Sequence, residues 1–244
     1  MLKRISERLK KAGAALALLS VEMVIVTSLF VVALVTFVWV TRRVFVLKQT
    51  SFDHAIFEFL GTHVTERNNA IIKAFTFLGS HDFLIPANLT LIAYYLFIRK
   101  HKWYSIKVPA IALSSLALMF ILKNLFNRPR PDIPLLYEAR GLSFPSGHAL
   151  MSITFYGLLI HIAYHNMKNK GLKWTFITLL ILLILIIGFT RVYLRVHYTT
   201  DVLAGYSIGF VWLVFAIWLL NRIEQKNKRK LTAMVESDPA PARA

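Results

Sequence analysis

The chain is predicted to be an all-α integral membrane protein of six transmembrane helices, with interfacial helices on the outer side. Three observations predict this. Hydrophobic residues make up 57% of its 244 residues and its mean hydropathy is +0.57, too apolar for a soluble domain of that length. Apolar runs recur six times, each near the length of about 20 helical residues that crosses a hydrocarbon core of about 30 Å. Basic residues gather in short clusters beside alternate ends of those runs, as cytoplasmic loops require.

The first run, Ala14–Val40, follows Lys3, Arg4, Arg8, Lys10 and Lys11. It is too long for the core of a signal peptide, so it is expected to remain as the first span behind a basic N-terminus, residues 1–13. The later spans are expected near 83–98, 108–126, 146–164, 174–194 and 201–220. The turns Arg99–Lys102 and Lys168–Lys173 and the tail Arg222–Lys230 share one side with the N-terminal cluster. Both termini are therefore expected in the cytoplasm of a multi-pass cell (inner) membrane protein. Residues 14–222 are expected to form a single six-span domain, and residues 223–244 a basic, disordered cytoplasmic tail. Its end, Ser237-Asp238-Pro239-Ala240-Pro241-Ala242, has a composition that predicts disorder.

The outer connection Thr41–Asp82 carries Phe52, Ile56, Phe59 and Leu60, then Ile71, Ile72, Phe75 and Leu78, at helical spacing. Two helices lying in the interface are expected there, either guiding a ligand or covering the bundle top. Lys plus Arg number 29 against 12 Asp plus Glu, a formal net charge of +17. Because these charges sit in loops rather than as a stripe on one polar helix, they read as a topology signal, and no nucleic-acid partner is expected. Cysteine is absent from the sequence, which removes disulfides and thiolate metal sites.

Charged residues at bilayer depth are costly and point to function. Three clusters of them lie at the outer edge. Lys123 and Arg130 are seven residues apart, with Pro129 and Pro131 ending the helix, so they are expected on one helical face about 10 Å apart, able to converge on an anion. Snorkelling to headgroups is the bland alternative. Pro145-Ser146-Gly147-His148 stands directly ahead of the fourth run. A helix starting there offers unpaired backbone amides, a close approach at Gly147 and a hydroxyl from Ser146, and an ordinary helix cap would use the same residues. His197 and Asp201, four apart, suit a carboxylate that holds one imidazole nitrogen. Arg191 precedes His197 by six residues, so the fifth helix is expected to end or distort between them. Together the clusters supply three cations, an amide nest, two histidines and a carboxylate. An oxyanion, most simply phosphate, fits that inventory, with one histidine as nucleophile and the other as acid.

Lys123 to Arg130-Pro131, Pro145 to His148, and Arg191 through His197 to Asp201 resemble the three-part signature of the type 2 phosphatidic acid phosphatase superfamily. The one departure noticed is Thr190 before Arg191, where serine is common. The resemblance implies a metal-independent, cofactor-free lipid phosphatase. In it His197 becomes a phosphohistidine, Asp201 orients His197, and His148 protonates the leaving oxygen and then activates water. Lys123, Arg130, Arg191 and the amides at Ser146 and Gly147 would hold the phosphoryl oxygens. Phosphatidylglycerol phosphate, phosphatidic acid and polyprenyl diphosphate are the candidate substrates, and a phosphorylated lipid A is the alternative. Membrane lipids are the expected surroundings, and the active site is expected on the extracytoplasmic face. A haloperoxidase would use a similar oxyanion site but not six spans. A lipid transporter would not need a His–Asp pair opposite a second histidine.

Overall fold

The computed structural model describes residues 21–133 and 135–237. Its helices are α1 (Val21–Thr41, closed by a π-turn Arg42–Val46), α2 (Ser51–Gly61), α3 (Glu66–Phe77) and α4 (His81–Ala93, closed by a π-turn Tyr94–Ile98). Then follow α5 (Lys102–Phe126), α6 (Gly147–Asn166), α7 (Lys170–Tyr193) and α8 (Thr199–Ser237). Six segments are long and apolar enough to cross a membrane: Val21–Val46, Glu66–Ile98, Lys102–Phe126, Gly147–Asn166, Lys170–Tyr193 and Thr199–Thr232. They cover the six runs read from the sequence, the second being α3 and α4 joined through a short turn. The expected start of the first span at Ala14, and the basic stretch 1–13, lie outside the described residues.

Helix ends follow the local chemistry. Thr65, Ser80, Ser146 and Asn169 cap α3, α4, α6 and α7, each side-chain oxygen accepting an amide of the first turn. Asn127, with φ 44°, ends α5 in the left-handed conformation, its N–H donating to the Lys123 carbonyl at 2.9 Å. Arg130 therefore stands in the loop beyond α5, which corrects the expectation that it shares a helical face with Lys123. Pro129 disfavours helical backbone at Arg128, so the helix stops short of the prolines. The tail also departs from expectation. Residues 223–237 are helical, not disordered, because Glu224 accepts from Lys107 at 2.6 Å and from Lys228, one turn on, at 2.7 Å. Residues 238–244 lie outside the described part.

At the centre of the bundle α6 crosses α8 at a Gly205-x-x-x-Gly209 step. A Cβ on Gly205 would stand 2.7 Å from the Ser146 carbonyl oxygen and 3.0 Å from Ala149 Cβ, and one on Gly209 would stand 3.1 Å from the Leu150 carbonyl oxygen. Only glycine permits two backbones to come so close. Around this axis α4 packs Leu84 onto Phe155, Tyr156 and Ile187. Helix α5 packs Val108 and Ile111 onto Leu158 and Leu213. Phe37 and Phe45, from α1 and its π-turn, box Phe126 and Phe144.

The two helices of the 41–82 connection form as expected, with a different buried face. On α2, Asp53, Phe57 and Leu60 are buried while Phe52 and Phe59 are exposed; on α3, Thr76 is buried while Ile71 and Phe75 are exposed. Both helices turn a polar residue inward and large apolar ones outward, which is the arrangement expected where the surroundings are lipid.

Gly205→Ala is expected to lower the melting temperature in detergent by several degrees, since overpacking typically costs about 1–3 kcal/mol. Any activity housed at this crossing should fall with it. Gly171→Ala, in the exposed first turn of α7, is the matched control and should change neither.

Candidate functional site

The tight α6–α8 crossing brings the second and third motif segments together, and the Ser146 amide donates to the Asp201 carbonyl at 3.0 Å. Helix α7 ends at Tyr193, and Arg195 takes φ 61°, so the chain reverses sharply between Arg191 and His197, as their spacing requires. The Arg191 carbonyl accepts the amides of both Val196 and His197 at 3.2 Å. This turn delivers His197, 2% exposed, to the N-terminus of α8, where Asp201 lies in the first turn and is fully buried.

Asp201 accepts three hydrogen bonds. Its Oδ2 accepts the Ser143 hydroxyl and, at 2.9 Å, the Tyr198 amide; its Oδ1 accepts Arg128 Nη1 at 2.6 Å. The Tyr198 bond is the reach-back half of a capping box, so one carboxylate both caps α8 and faces the histidine. His197 Nδ1 stands 3.5 Å from Asp201 Oδ2 and 3.3 Å from Ser143 Oγ. The direct His–Asp contact is long for a charge-assisted bond, and Ser143 stands between the two as a donor to the carboxylate and the nearer neighbour of the ring. Burial pushes His197 down to about 4, against the opposing pull of Asp201, so the ring is neutral at pH 7.

The three expected cations surround this pair. Lys123 Nζ donates to the Leu142 carbonyl at 2.5 Å. Arg130 donates to the carbonyls of Gly141, Arg140 and Val196 at 3.1, 2.7 and 2.6 Å. Arg191, 3% exposed, donates from Nη1 to Thr76 Oγ1 at 2.7 Å and stacks near Tyr137, while its Nε has no protein partner. The start of α6 lies beside Lys123, since a Cβ on Gly147 would stand 4.0 Å from Lys123 Cε. His148 stands within electrostatic reach of Arg191, His197 and Arg130. Its ring is covered by the α3–α4 turn, where a Cβ on Gly79 would meet His148 Cδ2 at 3.2 Å. All eight expected residues, Lys123, Arg130, Ser146, Gly147, His148, Arg191, His197 and Asp201, thus gather at one end of the bundle. No group of three or more His, Asp or Glu suited to a metal ion occurs among the described residues.

Sequence reasoning missed Asp53, Thr76, Arg128 and Ser143. Arg128 carried the same signal as Arg130, a cation among prolines at the bilayer edge. Asp53 was legible as the lone acid spaced with Ile56, Phe57 and Leu60 on one helical stripe. Thr76 and Ser143 carried no signal of their own.

The chain is similar in sequence and in structure to several known proteins. A family model described as the PAP2 superfamily matches residues 104–225. Phosphatidylglycerophosphatase B of Bacillus subtilis (strain 168) is 31% identical over 163 residues, covering 66% of this chain and 77% of that protein. The crystal structure of the transmembrane PAP2-type phosphatidylglycerolphosphate phosphatase from Bacillus subtilis superposes with a TM-score of 0.68 at 26% identity, over 82% of this chain and 96% of that one. The crystal structure of Aquifex aeolicus LpxE superposes with a TM-score of 0.55 at 25% identity, over 68% and 95%.

Ser143→Ala removes one donor from Asp201 and the nearest neighbour of His197 Nδ1. A lost hydrogen bond of about 1.5 kcal/mol in the transition state should lower kcat about tenfold. KM should stay within about twofold, which steady-state kinetics in detergent will show.

Proposed function

This chain belongs to the PAP2 superfamily and is a lipid phosphatase of several membrane spans, and from that premise we propose that it hydrolyses a phospholipid phosphomonoester through a phosphohistidine on His197. Phosphatidylglycerol phosphate is the first substrate to test, by similarity to the Bacillus subtilis enzyme.

The observation that carries the reading is the environment of His197. Its Nδ1 is turned to Ser143 and Asp201, so in the neutral ring the proton belongs on Nδ1 and the lone pair on Nε2. Nε2 attacks phosphorus as the bond to the lipid oxygen breaks, and His148 gives that oxygen a proton. Water then attacks the phosphohistidine with His148 as base, the P–N bond breaks, and phosphate leaves. Arg191, Arg130, Lys123 and the amides at the start of α6 hold the phosphoryl oxygens, which replace the loop carbonyls at Lys123 and Arg130 and take the unpartnered Nε of Arg191. Positioning and fixed charge supply most of the catalysis of phosphoryl transfer, and these cations fill the part that metal ions take elsewhere.

Two variants separate the histidines. His197→Ala should abolish turnover of every substrate and trap no label. His148→Ala should lose far more rate on phosphatidylglycerol phosphate, whose alkoxide leaving group needs a proton, than on p-nitrophenyl phosphate, whose phenolate does not. Rapid-quench trapping in EDTA should show phosphohistidine accumulating in His148→Ala with the activated substrate. Label trapped in His197→Ala would reassign the nucleophile. A panel with phosphatidic acid, polyprenyl diphosphate and a phosphorylated lipid A, run on the unaltered protein, ranks the substrates.

The basic turns 99–102 and 168–173 at the other end of the bundle support an extracytoplasmic face for the site. Because the chain has no cysteine, single cysteines report cleanly. One at Leu135, exposed in the loop of the site, should react with an impermeant thiol reagent added to intact cells; one at Asn169 should not. The reverse pattern would place the chemistry in the cytoplasm.

A further inference from the structure

Asp53 lies on α2, outside the three motif segments, yet it is only 1% exposed and fully engaged. Its Oδ1 accepts the Thr200 amide at 3.0 Å, and its Oδ2 accepts the Thr200 hydroxyl at 2.7 Å and Arg128 Nη2 at 3.2 Å. The other end of the same guanidinium, Nη1, reaches Asp201 Oδ1 at 2.6 Å and Thr200 Oγ1 at 2.8 Å, with Tyr198 stacked 3.8 Å from Arg128 Cζ. One buried cation is therefore shared by two buried carboxylates, and the second carboxylate is the one that faces His197.

We propose that Asp53 is a positioning residue for the His197 reaction: by holding Arg128 against Asp201 it fixes the carboxylate that orients the imidazole. The inference rests on the reading of His197 as nucleophile. The planar guanidinium fixes direction as well as charge, since each of its two ends is held by a different carboxylate. Without Asp53 the guanidinium keeps Asp201 but loses the partner that sets its angle. Without Arg128 two carboxylates are left buried with no cation between them, which is much the more costly change. The outer helix α2 is thereby built into the catalytic machinery instead of lying over it.

A mere clamp on α2 would change stability and leave turnover per folded molecule alone, so the test separates the two. Asp53→Asn keeps the size and the Oδ1 acceptor. It should lower kcat and the rate of phosphohistidine formation about 10- to 100-fold, the range for outer partners that orient a metal-bound imidazole. KM should stay within about twofold. Arg128→Met should lose more than Asp53→Asn, and the double variant Asp53→Asn/Arg128→Met should recover at least about tenfold over Arg128→Met, because one of the two stranded carboxylates is gone. Rates are taken per folded molecule, from material that is monodisperse in detergent. Wild-type kcat in Asp53→Asn would overturn the proposal, as would a double variant no better than Arg128→Met. If Arg128→Met does not fold, Asp53→Asn decides alone. His197→Ala runs beside them: if it is inactive while Asp53→Asn is unaffected, only the positioning role fails, whereas label trapped in His197→Ala removes the nucleophile reading itself.

Discussion

Everything at the site depends on how closely α6 and α8 approach. The helices that carry His148 and Asp201 meet where Gly205 and Gly209 leave no side chain between them, and the first consequence is the bond from the Ser146 amide to the Asp201 carbonyl. In lipid, apolar surface gives helices little reason to associate, so backbone proximity and polar contacts must hold the bundle together. Here both occur at one crossing. A wider separation would detach the amide-rich start of α6 from the histidine at the start of α8, and each half would then be an ordinary helix terminus.

The second constraint is charge. Two fully or nearly buried carboxylates and two buried arginines are crowded at the edge of a hydrocarbon phase, where an unpaired ion is expensive. The structure separates them by duty. Arg128 binds both Asp53 and Asp201, and Thr200 binds Arg128 and Asp53, a closed arrangement with all three ionic side chains partnered. Arg191 keeps a donor without a protein partner. In the function proposed above, the closed group supports the histidine and the open donor takes an oxygen of the incoming oxyanion. Two arginines two residues apart, Arg128 and Arg130, are held differently, the first by carboxylates and the second by loop carbonyls, because Asn127 ends α5 and Pro129 turns the chain between them.

Six apolar runs and their basic turns were enough to predict the spans, since length and hydropathy are what a bilayer selects. The site residues were legible for a related reason: ions near hydrocarbon are rare enough that Lys123, Arg130, Arg191 and Asp201 stood out in a sequence this apolar. What escaped was whatever needed three dimensions. Phe52 and Phe59 matched a helical stripe, but the face turned to protein was the one bearing Asp53, and on α3 the one bearing Thr76. Periodicity finds a stripe without saying whether lipid or protein covers it. Ser143 was invisible because its role comes from a loop that folds back, its amide donating to the Arg128 carbonyl. The helical tail to Ser237 was missed because its support, Lys107 on α5, is more than a hundred residues away in sequence.

In the proposed function, the loop carbonyls that hold Lys123 and Arg130 shape how the site chooses what it binds. Those of Arg140, Gly141, Leu142 and Val196 are neutral acceptors, satisfying the cations when nothing else does. A phosphomonoester dianion competes for the same donors with charge-assisted bonds roughly twice as strong. A zwitterionic phosphodiester headgroup carries a single negative charge and a cation of its own, so it gains less, and water gains less still. Exchange of carbonyl for phosphate oxygen is therefore favourable only for a strongly anionic group. In the proposed function that filter separates lipid phosphomonoesters from the phosphodiester lipids surrounding the protein without any contact to the acyl chains, and it leaves the choice among phosphomonoester lipids to the parts of the substrate that lie outside the cationic cluster.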